Sequence, residues 1–194
     1  MSKIQSLKID NQRERFLTQQ EIQLLLDTVK DDTLNLFILL SLSTGGRLAT
    51  IMDIKKKDIN MENHIIKLFD FKNGSSYIGF MTDILHKKIQ TIYPILKVND
   101  KLLSQYAANT IQHKLKNIFD SLFNIGLDSK DTKNRVVTHT LRHTFASQLA
   151  INGTPIFTIQ KLMNHKDINM TLRYAKLAPD SGKDMVDIIM ENIS

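Results

Sequence analysis

Residues 138–174, THTLRHTFASQLAINGTPIFTIQKLMNHKDINMTLRY, are the most informative stretch of this chain. They collect Arg142 and Arg173, the histidines His139, His143 and His165, and Tyr174. That inventory suits holding a phosphodiester while a phenolic oxygen attacks it. Arginine presents a rigid planar fork to the non-bridging oxygens of a phosphate and stays charged at any physiological pH. Histidine donates or accepts a proton near neutrality, and tyrosine becomes a covalent nucleophile when such a base assists it. With residues 139–143 at a helix start, His139 and Arg142 stand three apart on one face and converge on a single bound group, while Leu141 and Phe145 point inward. His165 follows Arg142 by 23 positions, and Tyr174 follows His165 by nine.

Gly153, Pro155 and Pro179 act as stop and start signals around this stretch. They predict helices over about 139–152, 155–163 and 169–177, and from 179 to the end. Upstream, Thr18-Gln19-Gln20-Glu21 is a capping box, followed by Ile22, Leu25, Leu26 and Val29 on one helical face. A second, more apolar helix, LNLFILLSLST, starts at Asp31 or Asp32 and stops at Gly45-Gly46, where glycine allows a turn that other residues resist. Arg47 lies immediately after that turn. Between about 53 and 82 the pattern changes, with HIIKLFDF and YIGFMT flanking Lys72-Asn73-Gly74. β-Branched and aromatic runs around an Asn-Gly predict a small antiparallel sheet, with Lys72 near its tip. Two further helical patterns, DILHKKIQTIYPIL and NTIQHKLKNIFDSLFNIG, lead into a loop that carries Lys130, Lys133 and Arg135.

The chain has 194 residues, enough for one sizeable core or for one domain plus a short arm. Its 26 basic against 20 acidic residues give a formal charge of +6, which favours an anionic partner without choosing among nucleic acid, membrane surface and polyanionic ligand. Absence of cysteine removes disulfides, thiolate zinc sites and cysteine nucleophiles together. No apolar run approaches the roughly 20 residues needed to cross a bilayer, and MSKIQSLKIDNQRER lacks the apolar stretch of a signal peptide. A cytoplasmic protein with no membrane partner is the simplest reading. Residues 1–14 are polar and aperiodic and read as a linker or arm.

The residues His139-Thr140-Leu141-Arg142-His143-Thr144-Phe145-Ala146, then Leu162-Met163-Asn164-His165, then Thr171-Leu172-Arg173-Tyr174 closely resemble the signature of the tyrosine recombinase (phage integrase) family. That signature reads roughly H-x-L-R-H-T-F-A, L-x-x-L-x-G-H and T-x-x-Y. Thr44-Gly45-Gly46-Arg47 matches the T-G-x-R turn that carries the family's first catalytic arginine, and Lys72 is the counterpart of its hairpin lysine. The resemblance covers residues 15 to about 190. It implies a mainly α (α+β) catalytic domain over 15–194 with a small three-stranded antiparallel sheet. The helical core-binding domain that usually precedes it has no counterpart in this chain, whose polar start reads as a linker from something longer.

By resemblance the activity is a site-specific, metal-independent and cofactor-free cleavage and rejoining of double-stranded DNA. Tyr174 would attack the scissile phosphate to give a 3′-phosphotyrosyl link and a free 5′-hydroxyl. Arg47 and Arg142 would clamp the non-bridging oxygens, His139 would accept the tyrosine proton or orient the phosphate, Lys72 would protonate the leaving oxygen, and His165 would add a hydrogen bond. One departure stands out. The family usually carries an acidic residue three after the first arginine, and this chain has Thr50 there, with Asp53 as a possible substitute.

Each residue also has an unremarkable reading. Lys72 competes with Lys67, since a lysine at a hairpin tip is usually only solvated. His139 and His143, four apart, have a zinc-compatible spacing, but no acid stands between them and Arg142 would repel a cation; His143 reads as a hydrogen-bonded structural residue. Lysines 55–57 form a solvated face that can also meet phosphates. Met185, Ile188, Ile189 and Met190 form an apolar stripe on the last helix. That stripe either packs on its own core or docks on a neighbouring subunit, as the family's terminal helix does in its tetramer. The alternative function is a DNA-binding module that keeps the recombinase fold without catalysis.

Overall fold

The computed structural model describes residues 15–180 and 182–191. Thr18 opens the first helix, α1 (Gln19–Thr28): its hydroxyl accepts from the Glu21 amide at 3.2 Å, and the Glu21 carboxylate accepts from the Thr18 amide at 2.9 Å. Two otherwise orphaned donors are thereby satisfied. Asp31 caps α2 (Asp32–Thr44) in the same spirit, accepting from the amides of Thr33 and Leu34. Leu34, Phe37, Ile38 and Leu40 of α2 are all but inaccessible to solvent. A helix this apolar around its circumference belongs at the centre of the core.

After α2 come α3 (Leu48–Met52), α4 (Asp83–Ile92), α5 (Ala108–Leu122), α6 (Thr138–Ile151), α7 (Ile156–Leu162), α8 (Asn169–Leu172) and α9 (Gly182–Glu191). Leu85 and Ile89 of α4, Ile111, Leu115 and Phe119 of α5, and Leu141 of α6 close the main core around α2. A smaller cluster joins Ala146 and Ala150 of α6 to Ile159, Met163 and Tyr174. The chain from α5 to α6 is pinned by Asn124, whose side chain accepts from the Val136 amide at 2.7 Å and donates to the Val136 carbonyl at 3.0 Å. That anchor fixes where α6, and with it His139, begins.

Between α3 and α4 lies an antiparallel sheet in the order β1 (Ile59–Asn60), β2 (Ile65–Asp70), β3 (Ser75–Phe80). Asp70 pairs with Ser75, so residues 71–74 close the hairpin, with Gly74 at φ 63°. Lys72 is exposed in that turn. Side chains alternate along β2: Ile66, Leu68 and Asp70 are buried, and Lys67 and Phe69 are exposed. The mainly helical fold with a three-stranded antiparallel sheet is the one the sequence predicts.

The C-terminal region departs from expectation. The helix expected over 169–177 breaks after Leu172, and a 3₁₀ turn follows over Ala175–Leu177. Amides here bond three residues back: Thr171 to Ile168, Tyr174 to Thr171, Leu177 to Tyr174. The tighter 3₁₀ repeat aligns residues three apart, which brings Thr171 and Tyr174, both buried, to one inward side. On α9, Ile188 and Ile189 of the expected stripe are 52% and 60% exposed, and the neighbouring Val186 is 58% exposed. The side chains of Met185 and Met190, like residues 1–14, lie outside the described residues. Among the described residues no helix is long and apolar enough to cross a membrane.

Candidate active site

The turn after α2 places the first arginine. Gly45 ends that helix at φ 62°, and a Cβ on it would stand 2.4 Å from the Phe145 ring of α6. Both the left-handed backbone and the close approach of α6 demand glycine. Two residues later Arg47 projects from the start of α3, its side chain 17% exposed, and forms an ion pair with Asp70.

Arg142 leaves the first turns of α6 and is 3% exposed. One of its terminal nitrogens donates to the Gly45 carbonyl, and the other donates to the Met163 carbonyl at 2.6 Å. The guanidinium therefore joins the turn that carries Arg47 to the end of α7, just before His165. Burial, helped by the neighbouring charge of Arg47, lowers its pKa to about 10, which leaves it protonated at neutral pH. Its guanidinium also lines the cleft, where N–H groups beyond those two bonds can meet a ligand.

His165 follows Asn164, which adopts φ 49°. Its Nδ1 lies 2.9 Å from the Thr171 hydroxyl. Burial first, then the charges of Arg142 and Arg47, lower its pKa to about 4. The ring is therefore neutral at pH 7, and in the tautomer whose Nδ1 accepts from the Thr171 hydroxyl the proton sits on Nε2. A neutral N–H donor results.

Tyr174 is 4% exposed in the smaller cluster. Its hydroxyl lies 2.7 Å from Nδ1 of His143, and the His139 ring meets the His143 ring edge-on with centroids 4.8 Å apart. Burial raises the phenol pKa, opposed by Arg173 and Arg142. Arg173 lies with its guanidinium carbon 5.8 Å from the Tyr174 ring centroid.

Arg47, Lys72, His139, Arg142, His165 and Tyr174 line one cleft of about 450 Å³. The six side chains to which the family resemblance gives roles thus lie along the same cleft, together with His143, Asn169 and Arg173. Lys67, the rival of Lys72, lines a separate hollow with Lys55 and Lys57.

A family model described as the phage integrase family matches residues 15–180. The chain belongs to the phage integrase family. The tyrosine recombinase XerA of Saccharolobus solfataricus is 32% identical over 173 residues, covering 89% of this chain and 56% of that protein. The integrase of Escherichia phage P2 is 26% identical over 187 residues, 94% of this chain and 49% of that protein. The chain spans about half the length of these curated relatives. In fold it is similar to the catalytic domain of bacteriophage HP1 integrase, with a TM-score of 0.65 at 24% identity over 89% of this chain and 93% of that one.

Two departures from the phage integrase signature, Thr50 and Asn164, have visible structural counterparts. Asp53 faces Lys101 at 2.8 Å and Lys55 at 3.9 Å, so the carboxylate on Arg47 is that of Asp70, which the sequence reading missed. The period-two pattern of HIIKLFDF was the available signal, because it sets Asp70 on the same inward face as Ile66 and Leu68. Asn164 stands where the signature has glycine, in a left-handed conformation that asparagine tolerates better than most residues. Its amide donates to Ser75 Oγ at 3.0 Å, and its carbonyl accepts from Asn73 Nδ2 at 2.5 Å. These bonds dock the hairpin turn against the corner that holds His165.

Proposed function

We propose that residues 15–194 form the catalytic domain of a site-specific DNA recombinase or integrase of the tyrosine type, acting in the cytoplasm on double-stranded DNA through a 3′-phosphotyrosyl intermediate. The convergence of three guanidinium groups, an exposed lysine, three imidazoles and a phenol on one cleft carries this reading. The tyrosine Oη forms a bond to phosphorus as the bond from phosphorus to the 5′ oxygen breaks. Arg47 and Arg142 hold the non-bridging oxygens where charge accumulates, and His165 adds its neutral Nε2–H. Preorganised donors of this kind are typically worth roughly 100- to 1000-fold in rate each.

The phenolic proton passes to the imidazoles at the start of α6, where His143 Nδ1 already touches Oη and the His139 ring packs against His143. Lys72 gives its proton to the departing 5′ oxygen. Attack by a 5′-hydroxyl on the phosphotyrosine reverses each step, so strands rejoin with no external energy source. The same proposal includes assembly into a tetramer on DNA through α9, supported by the exposure of Val186, Ile188 and Ile189.

The test uses the full-length protein and a nicked suicide substrate taken from its own genomic flank, from which the short fragment bearing the freed 5′-hydroxyl diffuses away. A protein–DNA adduct resistant to denaturant is expected with the wild type and lost in Tyr174→Phe. An adduct that persists in Tyr174→Phe removes the nucleophile. DNA binding with no adduct from the wild type favours the non-catalytic module instead.

A further inference from the structure

The carboxylate of Asp70 touches three parts of the cleft at once. It ends β2 on the core face and its side chain is 1% exposed. A charge in that position is costly to bury unless it is paired and hydrogen-bonded. Oδ2 accepts from Nη1 of Arg47 and, at 3.4 Å, from Nδ2 of Asn164. Oδ1 accepts from the amides of Lys72 at 3.0 Å and Asn73 at 3.3 Å. One side chain therefore binds the first arginine, the turn that presents Lys72, and the residue before His165. The position three after Arg47, where the family pattern has an acid, is the buried and uncharged Thr50.

From this geometry we propose that Asp70 is a positioning residue for strand cleavage, replacing in space the acid that Thr50 does not supply. It holds the Arg47 guanidinium in one orientation before a phosphate arrives, and it sets the Lys72 turn against the same anchor. Fixing a donor in advance removes the cost of ordering it during the reaction. The inference rests on the recombinase reading above.

The experiment measures single-turnover adduct formation at saturating suicide substrate, with DNA affinity and melting temperature recorded for each variant and rates taken well below melting. Asp70→Asn keeps the shape and the acceptor for the turn amides but removes the charge. It is expected to slow cleavage roughly 10- to 100-fold, as loss of a supporting partner commonly does, with DNA affinity within about twofold of wild type. In an Arg47→Ala background the same change is expected to slow cleavage by less than about twofold, because its effect runs through Arg47. Thr50→Glu added to Asp70→Asn is expected to recover part of the lost rate, and this arm decides the matter if Arg47→Ala is too slow to follow.

An Asp70→Asn rate equal to wild type overturns the inference. So does an equal slowing with and without Arg47, or a slow Asp70→Asn protein that a folded Thr50→Glu double variant does not rescue. A wild-type protein that forms no adduct defeats the recombinase reading itself, a separate result.

Discussion

Arg142 donates to the carbonyl oxygen of Met163 at 2.6 Å, so a group that faces the cleft also fastens the end of α7. Arg142→Lys cannot reproduce a planar fork that meets the Gly45 and Met163 carbonyls together. Cleavage is expected to slow by roughly 100-fold or more. Stability is expected to fall by about 1.5–3 kcal/mol for one charge-assisted bond lost. Single-turnover kinetics and urea denaturation check the two effects separately.

Gly45→Ala strains a backbone at φ 62° and drives a methyl group into the Phe145 ring. A loss of about 2 kcal/mol or more is expected, read as a lower midpoint in urea with an unchanged slope. Because the Gly45 carbonyl also receives Arg142, the variant is expected to cleave more slowly even where it remains folded.

His165 titrates near 4 when folded, against an ordinary value of 6.5. As pH falls through that window the unfolded chain takes up a proton that the folded chain refuses, so stability is lost on acidification and is fully present above about 6.5. The size is at most about 3 kcal/mol. Denaturation midpoints measured from pH 7.5 to 4.5 are expected to fall less steeply for His165→Gln than for wild type; parallel curves contradict the assignment.

Lys72 and Lys67 separate on leaving-group chemistry. Lys72→Ala is expected to slow cleavage by roughly 100-fold or more with a 5′-oxygen leaving group. Much of that rate is expected back with a 5′-bridging sulfur, which departs without a proton. Lys67→Ala, in its separate hollow, is expected to stay within about twofold of wild type on both substrates.

Local rules carried most of the fold in the sequence. The capping box at Thr18, the glycine stop after α2 and the alternation of β2 each act through neighbouring residues, and each is visible in a short window. The break after Leu172 is not visible in that way. It depends on burying Thr171 and Tyr174 together against α6 and α7, a tertiary demand that overrides a helical pattern. The same distinction applies to the cleft. Arg142 and Tyr174 announce themselves by spacing, whereas the contacts of Asp70 with Arg47 and of Asn164 with Ser75 join distant segments, and no short window contains both partners.

The most direct test of the account is to digest the denatured wild-type adduct with trypsin and nuclease and locate the bound nucleotide by mass spectrometry. The account predicts a phosphonucleotide on Tyr174, in the short peptide that follows Arg173 and ends at Lys176. A nucleotide carried by any other residue would contradict it.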